Sequence, residues 1–259
     1  MTIKDVANYL EEIAPLQQAE DFDNVGLLIG DYSTKVSGVL VTLDTLEETV
    51  EEAIANKCNL IVSFHPIIFS GLKKINGNSY VERVVLKAIQ NNIAIYATHT
   101  ALDNSKVGVS AKMCEVLGLQ NTNILLPKEN SDIGMGMMGE LAKPMNENDF
   151  LKYVKMIFNS GGVRHSKILD KSIKKVAVLG GSGSFAISNA IEEKADAYIS
   201  ADFKYHDFFK AEGKILLIDV GHYESEQFTK NLLVEYLTKK FTSFAVVLSE
   251  KSTNPIYYI

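Results

Sequence analysis

The chain contains only two cysteines in 259 residues, Cys58 and Cys114, and both fall in stretches that read as helical. A disulfide framework is therefore not expected, and a reducing cytoplasm is. No apolar run approaches the roughly 18 to 20 residues that a membrane span needs. The opening Met1-Thr-Ile-Lys-Asp-Val-Ala carries an acid where a secretory leader has a basic and then an apolar region, so neither a membrane nor a secretory route is expected. Positive charge is not in excess either: 26 Lys plus Arg stand against 32 Asp plus Glu, a formal net charge of −6. Binding a nucleic-acid backbone needs a concentrated basic face, so nucleic acid is not an expected partner. Short internal repeats and low-complexity tracts are also missing. What is present is a 46% hydrophobic content, enough to bury one large core or two of about 100 to 150 residues each.

Short apolar runs recur at a regular beat: Val36 to Leu43, Leu60 to Phe64, Ile93 to Thr98, Lys174 to Gly180, Ala197 to Ser200, Ile215 to Val220 and Phe244 to Ser249. Amphipathic helical stretches lie between them: Leu46 to Asn56, Tyr80 to Asn91, Ser105 to Leu117, Ser184 to Lys194 and Glu224 to Lys240. This alternation predicts an α/β fold with mainly parallel sheets. The rhythm pauses from Leu126 to Gly139, which reads as loop, before a strand running on to Leu141 and a helix from Asn146 to Phe158. A soft boundary there, near 125 to 132, predicts two similar-sized α/β halves, residues 1–128 and 129–259.

There are five histidines: His65, His99, His165, His206 and His222. Four of them follow strands, His65 after the run at 60, His99 with Asp103 after the run at 93, His206 with Asp202 after the run at 197, and His222 after the run at 215. Open α/β sheets bind ligands at the carboxyl ends of their strands, so these residues mark the functional edge. His222 and Glu226 stand four apart at a helix start, one above the other on one face, where an imidazole and a carboxylate can reach one cation. The plain alternative is that His222 caps the helix and Glu226 favours its positive end. His65 reads equally as a buried, hydrogen-bonded core histidine, and Asp103 as the N-cap of the next helix. Together, two imidazoles and two carboxylates from three strand ends make a mixed nitrogen and oxygen set suited to Zn²⁺, Mn²⁺ or Fe²⁺.

Gly180-Gly-Ser-Gly183 competes as a functional signal. It reads as strand, turn, helix, and with Ala186, and with Asp202 standing 21 positions after Gly181, it satisfies a relaxed dinucleotide fingerprint. Only 57 residues follow Asp202, too few for the rest of a six-stranded dinucleotide fold and a substrate domain. A phosphate cradle at the helix start and a packing turn both remain open readings.

With these residues in hand, the chain resembles the Ngg-interacting factor three-like family, whose members are often labelled GTP cyclohydrolase 1 type 2 homologues, in its short form without an inserted domain. The matching stretches are Asp21 to Gly30, His65 to Phe69, His99 to Asp103, Gly180 to Gly183, Asp202 to His206 and Gly221 to Glu226. The resemblance implies a dinuclear metal centre at the junction of the halves, a homohexamer, and His65, Asp103, His222 and Glu226 as metal ligands, with one or two divalent metals per chain. It further implies hydrolase-like chemistry on a small molecule or nucleotide, with His99 and His206 as candidates for proton transfer. The alternative is a non-catalytic protein of metal-dependent assembly or metal handling. The family usually has two adjacent histidines before Pro66; here the first is Phe64, which has no donor atom, so the two metal positions are expected to fill unequally. Phe22 replaces a usual tryptophan and is expected to remain an aromatic core residue.

Overall fold

A computed structural model describes residues 1–129 and 132–259. From the N-terminus come α1 (Ile3–Leu10), β1 (Gly26–Ile29), β2 (Gly38–Thr42), α2 (Glu47–Ala55), β3 (Leu60–Ser63), α3 (Tyr80–Gln90), β4 (Ala94–Ala97) and the short α4 (His99–Asp103). The chain continues through α5 (Val109–Val116), β5 (Gln120–Pro127), β6 (Gly134–Asn146), α6 (Glu147–Ile157), β7 (Arg164–His165) and β8 (Ser172–Ser182). Then follow α7 (Ile187–Glu192), β9 (Ala197–Ala201), β10 (Leu216–Asp219), α8 (His222–Glu226), α9 (Thr229–Lys240) and β11 (Ala245–Leu248). Among the described residues no helix is long and apolar enough to cross a membrane.

By compactness these elements form two units, Met1–Leu102 with Thr229–Thr253, and Asp103–Phe228 with Asn254–Ile259. This differs from a single cut after residue 128, because β11 pairs in parallel with β2, Ala245 opposite Gly38 through Leu248 opposite Val41, and so carries the C-terminal segment into the first unit. Residues 130 and 131, inside the expected boundary, lie outside the described residues.

The first unit holds a five-stranded sheet of order β1-β4-β3-β2-β11 in which only β1·β4 is antiparallel. β2, β3 and β4 are buried along their whole length, which is why they read as continuous apolar runs rather than alternating ones. On one face Leu40, Ile61 and Ile95 share a core with Val50 and Ala53 of α2 and Val84, Val85 and Ala88 of α3. Ser79 starts α3 where the sequence implies, its hydroxyl accepting the Glu82 N–H at 3.2 Å. α9 packs on β2 and β11. Cys58 lies in the turn before β3 rather than in a helix.

The second unit holds a six-stranded sheet of order β5-β6-β8-β9-β10-β7. β8·β9 and β9·β10 are parallel and the flanking pairs antiparallel, so parallel pairings still outnumber antiparallel ones over the two sheets. Alternate residues serve two cores. Val176, Val178, Ile199 and Ile218 pack with Met113 and Leu117 of the α5 segment and Phe150 and Val154 of α6, while Ala177, Leu179, Tyr198 and Leu217 pack with Ile187 and Ala190 of α7. The stretch Leu126 to Gly139 is not all loop, since β5 runs to Pro127 and β6 begins at Gly134. A Cβ on Gly139 would lie 2.9 Å from the Gln120 carbonyl oxygen, so the glycine there serves close strand approach, not a turn.

If α9 is integral to the first unit, deleting its buried Leu237 side chain must leave a cavity. Leu237→Ala is expected to lower unfolding free energy by about 3 kcal/mol in urea titration.

Candidate functional site

In the first unit, β3 and β4 each deliver an imidazole just past their carboxyl ends. Beyond β3 the backbone stays clipped to its neighbour, the Phe64 N–H donating to Thr42 O at 3.1 Å and the His65 N–H to Leu43 O at 2.9 Å. His65 Nδ1 lies 2.8 Å from Asp44 Oδ1, and Asp44 Oδ2 accepts the Thr253 hydroxyl. His99, at a φ of 22°, opens α4; its N–H donates to Phe64 O at 2.9 Å and its Nδ1 lies 2.8 Å from Asp23 Oδ1. Asp23 also accepts the Thr100 N–H at 3.0 Å and the Thr100 hydroxyl. Burial pushes the Asp23 carboxyl up, but the bonds from His99 and Thr100 prevail and hold it at about 2. An ionised carboxylate only accepts, so His99 carries its proton on Nδ1 when neutral and keeps its lone pair on Nε2. The His65 and His99 rings stand 5.3 Å apart, with the fully buried Phe64 ring 4.9 Å from the first and 5.6 Å from the second.

In the second unit, Asp202 follows β9 and Gly221, at a φ of +98°, turns the chain after β10 into α8. His222 opens that one-turn helix and Glu226 closes it. His222 Nδ1 lies 2.8 Å from Asp202 Oδ2 and its Nε2 3.2 Å from Glu226 Oε2. Asp202 also accepts the Ser182 hydroxyl. Burial favours neutral His222, yet the two carboxylates outweigh it and push the imidazole up to about 11. The bond from His222, against a smaller burial effect, holds Asp202 at about 2. A proton on Nε2 thus stands between the imidazole and the Glu226 carboxylate, whose residue is only 3% exposed.

The glycine run is the end of β8 itself. Gly181 donates its N–H to Ser225 Oγ at 2.9 Å, and a Cβ there would lie 2.4 Å from Glu226 Oε1 and 3.3 Å from His222 Cε1. The turn therefore seats α8 and its two donors; its amide is not turned to a phosphate, and Asp202 is engaged by His222 rather than available for a ribose.

Other expectations meet different outcomes. The helix expected from Glu224 to Lys240 is two helices, broken at Gln227 and Phe228. Gly221, not His222, is the N-cap of α8, and Gly108, not Asp103, is the N-cap of α5. Asp103 is the half-buried last residue of α4. His206 lies beyond the strand end on an exposed 3₁₀ turn, Tyr205–Ala211, its ring 5.1 Å from that of Tyr205. Phe22 is 67% exposed, not a core residue. The sequence reading missed Asp44 and Asp23 as histidine partners; the only signal was their place, just beyond β2 and just before β1.

Fold and site define a two-sheet α/β protein whose strand ends carry carboxylate-bound imidazoles. The chain belongs to the Duf34/NIF3 (NGG1p interacting factor 3) family, whose model matches residues 1–255. It is similar to proteins called GTP cyclohydrolase 1 type 2 homolog in Clostridium acetobutylicum, 34% identical over 231 residues and covering 87% of this chain and 85% of that one, and in Clostridium perfringens, 31% identical over 264 residues and covering 100% of both. The crystal structure of a Staphylococcus aureus hypothetical protein matches with a TM-score of 0.94 at 31% identity, covering 100% of this chain and 99% of that one.

The Asp23 carboxyl titrates at 3.8 unfolded and about 2 folded, so its contribution to stability is complete above about pH 4 and is lost as pH falls towards 2. Asp23→Asn is expected to remove about 2 kcal/mol at neutral pH and to flatten the acid limb of urea midpoints measured between about pH 4 and 2.

Proposed function

We propose that the chain is a cytoplasmic, metal-dependent, hydrolase-like protein whose divalent cation is held by His65, Asp103, His222 and Glu226. The set His65, His222 and Glu226 could hold a metal ion. The observation that carries the reading is the treatment of the imidazoles: Asp44 on His65 and Asp202 on His222 each hold Nδ1 at 2.8 Å and fix the ring, and His222 Nε2 and Glu226 Oε2 lie 3.2 Å apart, a nitrogen and an oxygen close enough to share one cation. The donor chemistry fits Zn²⁺, Mn²⁺ or Fe²⁺, one or two per chain. When bound, such a cation lowers the pKa of its water to about 7 and polarises a carbonyl or ring C=N bond. The chain's own groups do the rest. Asp202 orients His222 through Nδ1, and His99, tautomerically fixed by Asp23, accepts a proton at Nε2 from an attacking water. The relatives' names put GTP first among substrates to test.

A second reading, metal-dependent assembly or metal handling without turnover, is favoured by Phe64, a fully buried ring with no donor atom beside two imidazoles. Elemental analysis combined with activity screening separates the two, since stoichiometric metal with no turnover on nucleotides, phosphoesters or peptides supports the second. Under limiting metal the natural protein should hold fewer than two ions per chain, and Phe64→His should raise that number. His222→Ala and Asp103→Ala are each expected to weaken metal binding by at least about tenfold with circular dichroism unchanged. Wild-type metal content in both would overturn the ligand assignment.

The oligomer proposed is a closed homohexamer, as head-to-tail interfaces that close into rings produce. Light scattering should give about six times 28.6 kDa, and a monomer at every concentration would rule it out.

A further inference from the structure

Two large aromatic side chains of the first unit stand in solvent beside an engaged imidazole. Phe22 is 67% and Phe69 50% exposed, their ring centroids 6.3 Å apart and tilted by 51°. Phe69 in turn presents its ring to His99, 6.2 Å away at 76°. The pair is fixed rather than loose. Asn24 donates through Nδ2 to the Ile68 carbonyl at 2.5 Å, tying the residue next to Phe69 to the segment that carries Phe22. Asp23, the neighbour of Phe22, is locked by His99 and Thr100. Holding two phenyl rings in water gains nothing for the unit's own core, which is filled by Leu40, Ile61 and Ile95 and the helices over them. The solvent-facing surfaces of the two rings, with the His99 imidazole beside Phe69, offer faces for stacking and one polar contact for a ring edge, the recognition suited to a flat heteroaromatic group.

We propose that Phe22 and Phe69 form a stacking site for a planar nitrogen heterocycle of the ligand, with His99 Nε2 meeting its polar edge. The site rests on the metal-dependent reading only for the chemistry done on that ring, not for the binding of the ring itself. This assigns a binding role to Phe22, where the sequence suggested a core aromatic, and to Phe69, which no motif had singled out for a role.

The test is calorimetric titration of the full chain with guanosine monophosphate, neopterin and nicotinamide mononucleotide, and with ribose 5-phosphate as the ring-free control. At least one of the ring compounds should bind more tightly than the control. Phe22→Ala and Phe69→Ala should each weaken that compound by about tenfold, with Phe22→Trp and Phe69→Tyr keeping it, since each stacked aromatic contributes on that scale. Both alanine changes fall at exposed positions, so folding and bound metal, checked by elemental analysis, should match the natural protein. The proposal is overturned if no ring compound binds better than ribose 5-phosphate, or if the alanine variants bind as the natural protein does. It is also overturned if those variants lose only their oligomeric state in light scattering, which would make the rings a contact between copies. Ring binding that depends on Phe22 and Phe69 in a chain that holds no metal would sustain this proposal while the metal-dependent reading fails.

Discussion

A carboxylate on the Nδ1 of each strand-end imidazole is the interaction on which the geometry of the candidate site depends. The three pairs, Asp44 with His65, Asp23 with His99 and Asp202 with His222, share one length, 2.8 Å. Each fixes a ring plane and the direction of its Nε2, which in His222 faces Glu226 Oε2. Sheet register builds them. Thr42, Ser63 and Ala97 lie in one row across β2, β3 and β4, so the residues two positions on, Asp44, His65 and His99, leave the sheet side by side. In the other sheet Ser200 stands opposite Asp219, which sets Asp202 beside the turn that delivers His222. A one-residue slip of any of these strands would turn its polar residue to the opposite face and empty the pair.

The same dependence explains what the sequence could and could not tell. Buried parallel strands announce themselves as apolar runs, and residues at their ends are readable as functional because the sheet architecture puts ligands there. The places of His65, His99 and His222 just beyond strands were therefore legible. Asp44 and Asp23 were not, because a histidine's partner is decided by which strands are neighbours, and neither lies in a local pattern with its histidine. The first part of β6 was hidden for another reason: glycines that permit close strand approach look like turn residues when read one at a time. The return of β11 to β2 carries no local signal at all, and the break at Gln227 and Phe228 falls inside an otherwise continuous helical pattern.

The glycine run shows how a motif can match while its function does not. Its spacing suits a dinucleotide turn, but the atoms that would meet a phosphate are already used. Ser225 occupies the Gly181 N–H, and Ser200 donates to the Gly181 carbonyl at 2.9 Å. What the glycine supplies is room, because the Glu226 carboxylate occupies the volume of the missing Cβ. Of the two readings the sequence left open, a phosphate cradle and a packing turn, the run thus serves the second, seating the Glu226 carboxylate.

Phe64 occupies the row one step beyond β3, where the neighbouring residue beyond β4 is Thr98, as the pairing of Ser63 with Ala97 dictates. Residues in one row of a parallel sheet point to the same face, so these two side chains share a side. Thr98 Oγ1 is buried and, among the described residues, has no hydrogen-bond partner. An apolar ring at 64 avoids the cost of burying a third imidazole, but leaves that hydroxyl unsatisfied, a penalty of about 1 to 3 kcal/mol. An imidazole at 64 would reverse both terms, bringing a nitrogen that the hydroxyl can serve and a second nitrogen free for a cation. The ring at 64 thus sets a drier, simpler core beside His65 and His99 against an unsatisfied hydroxyl at Thr98.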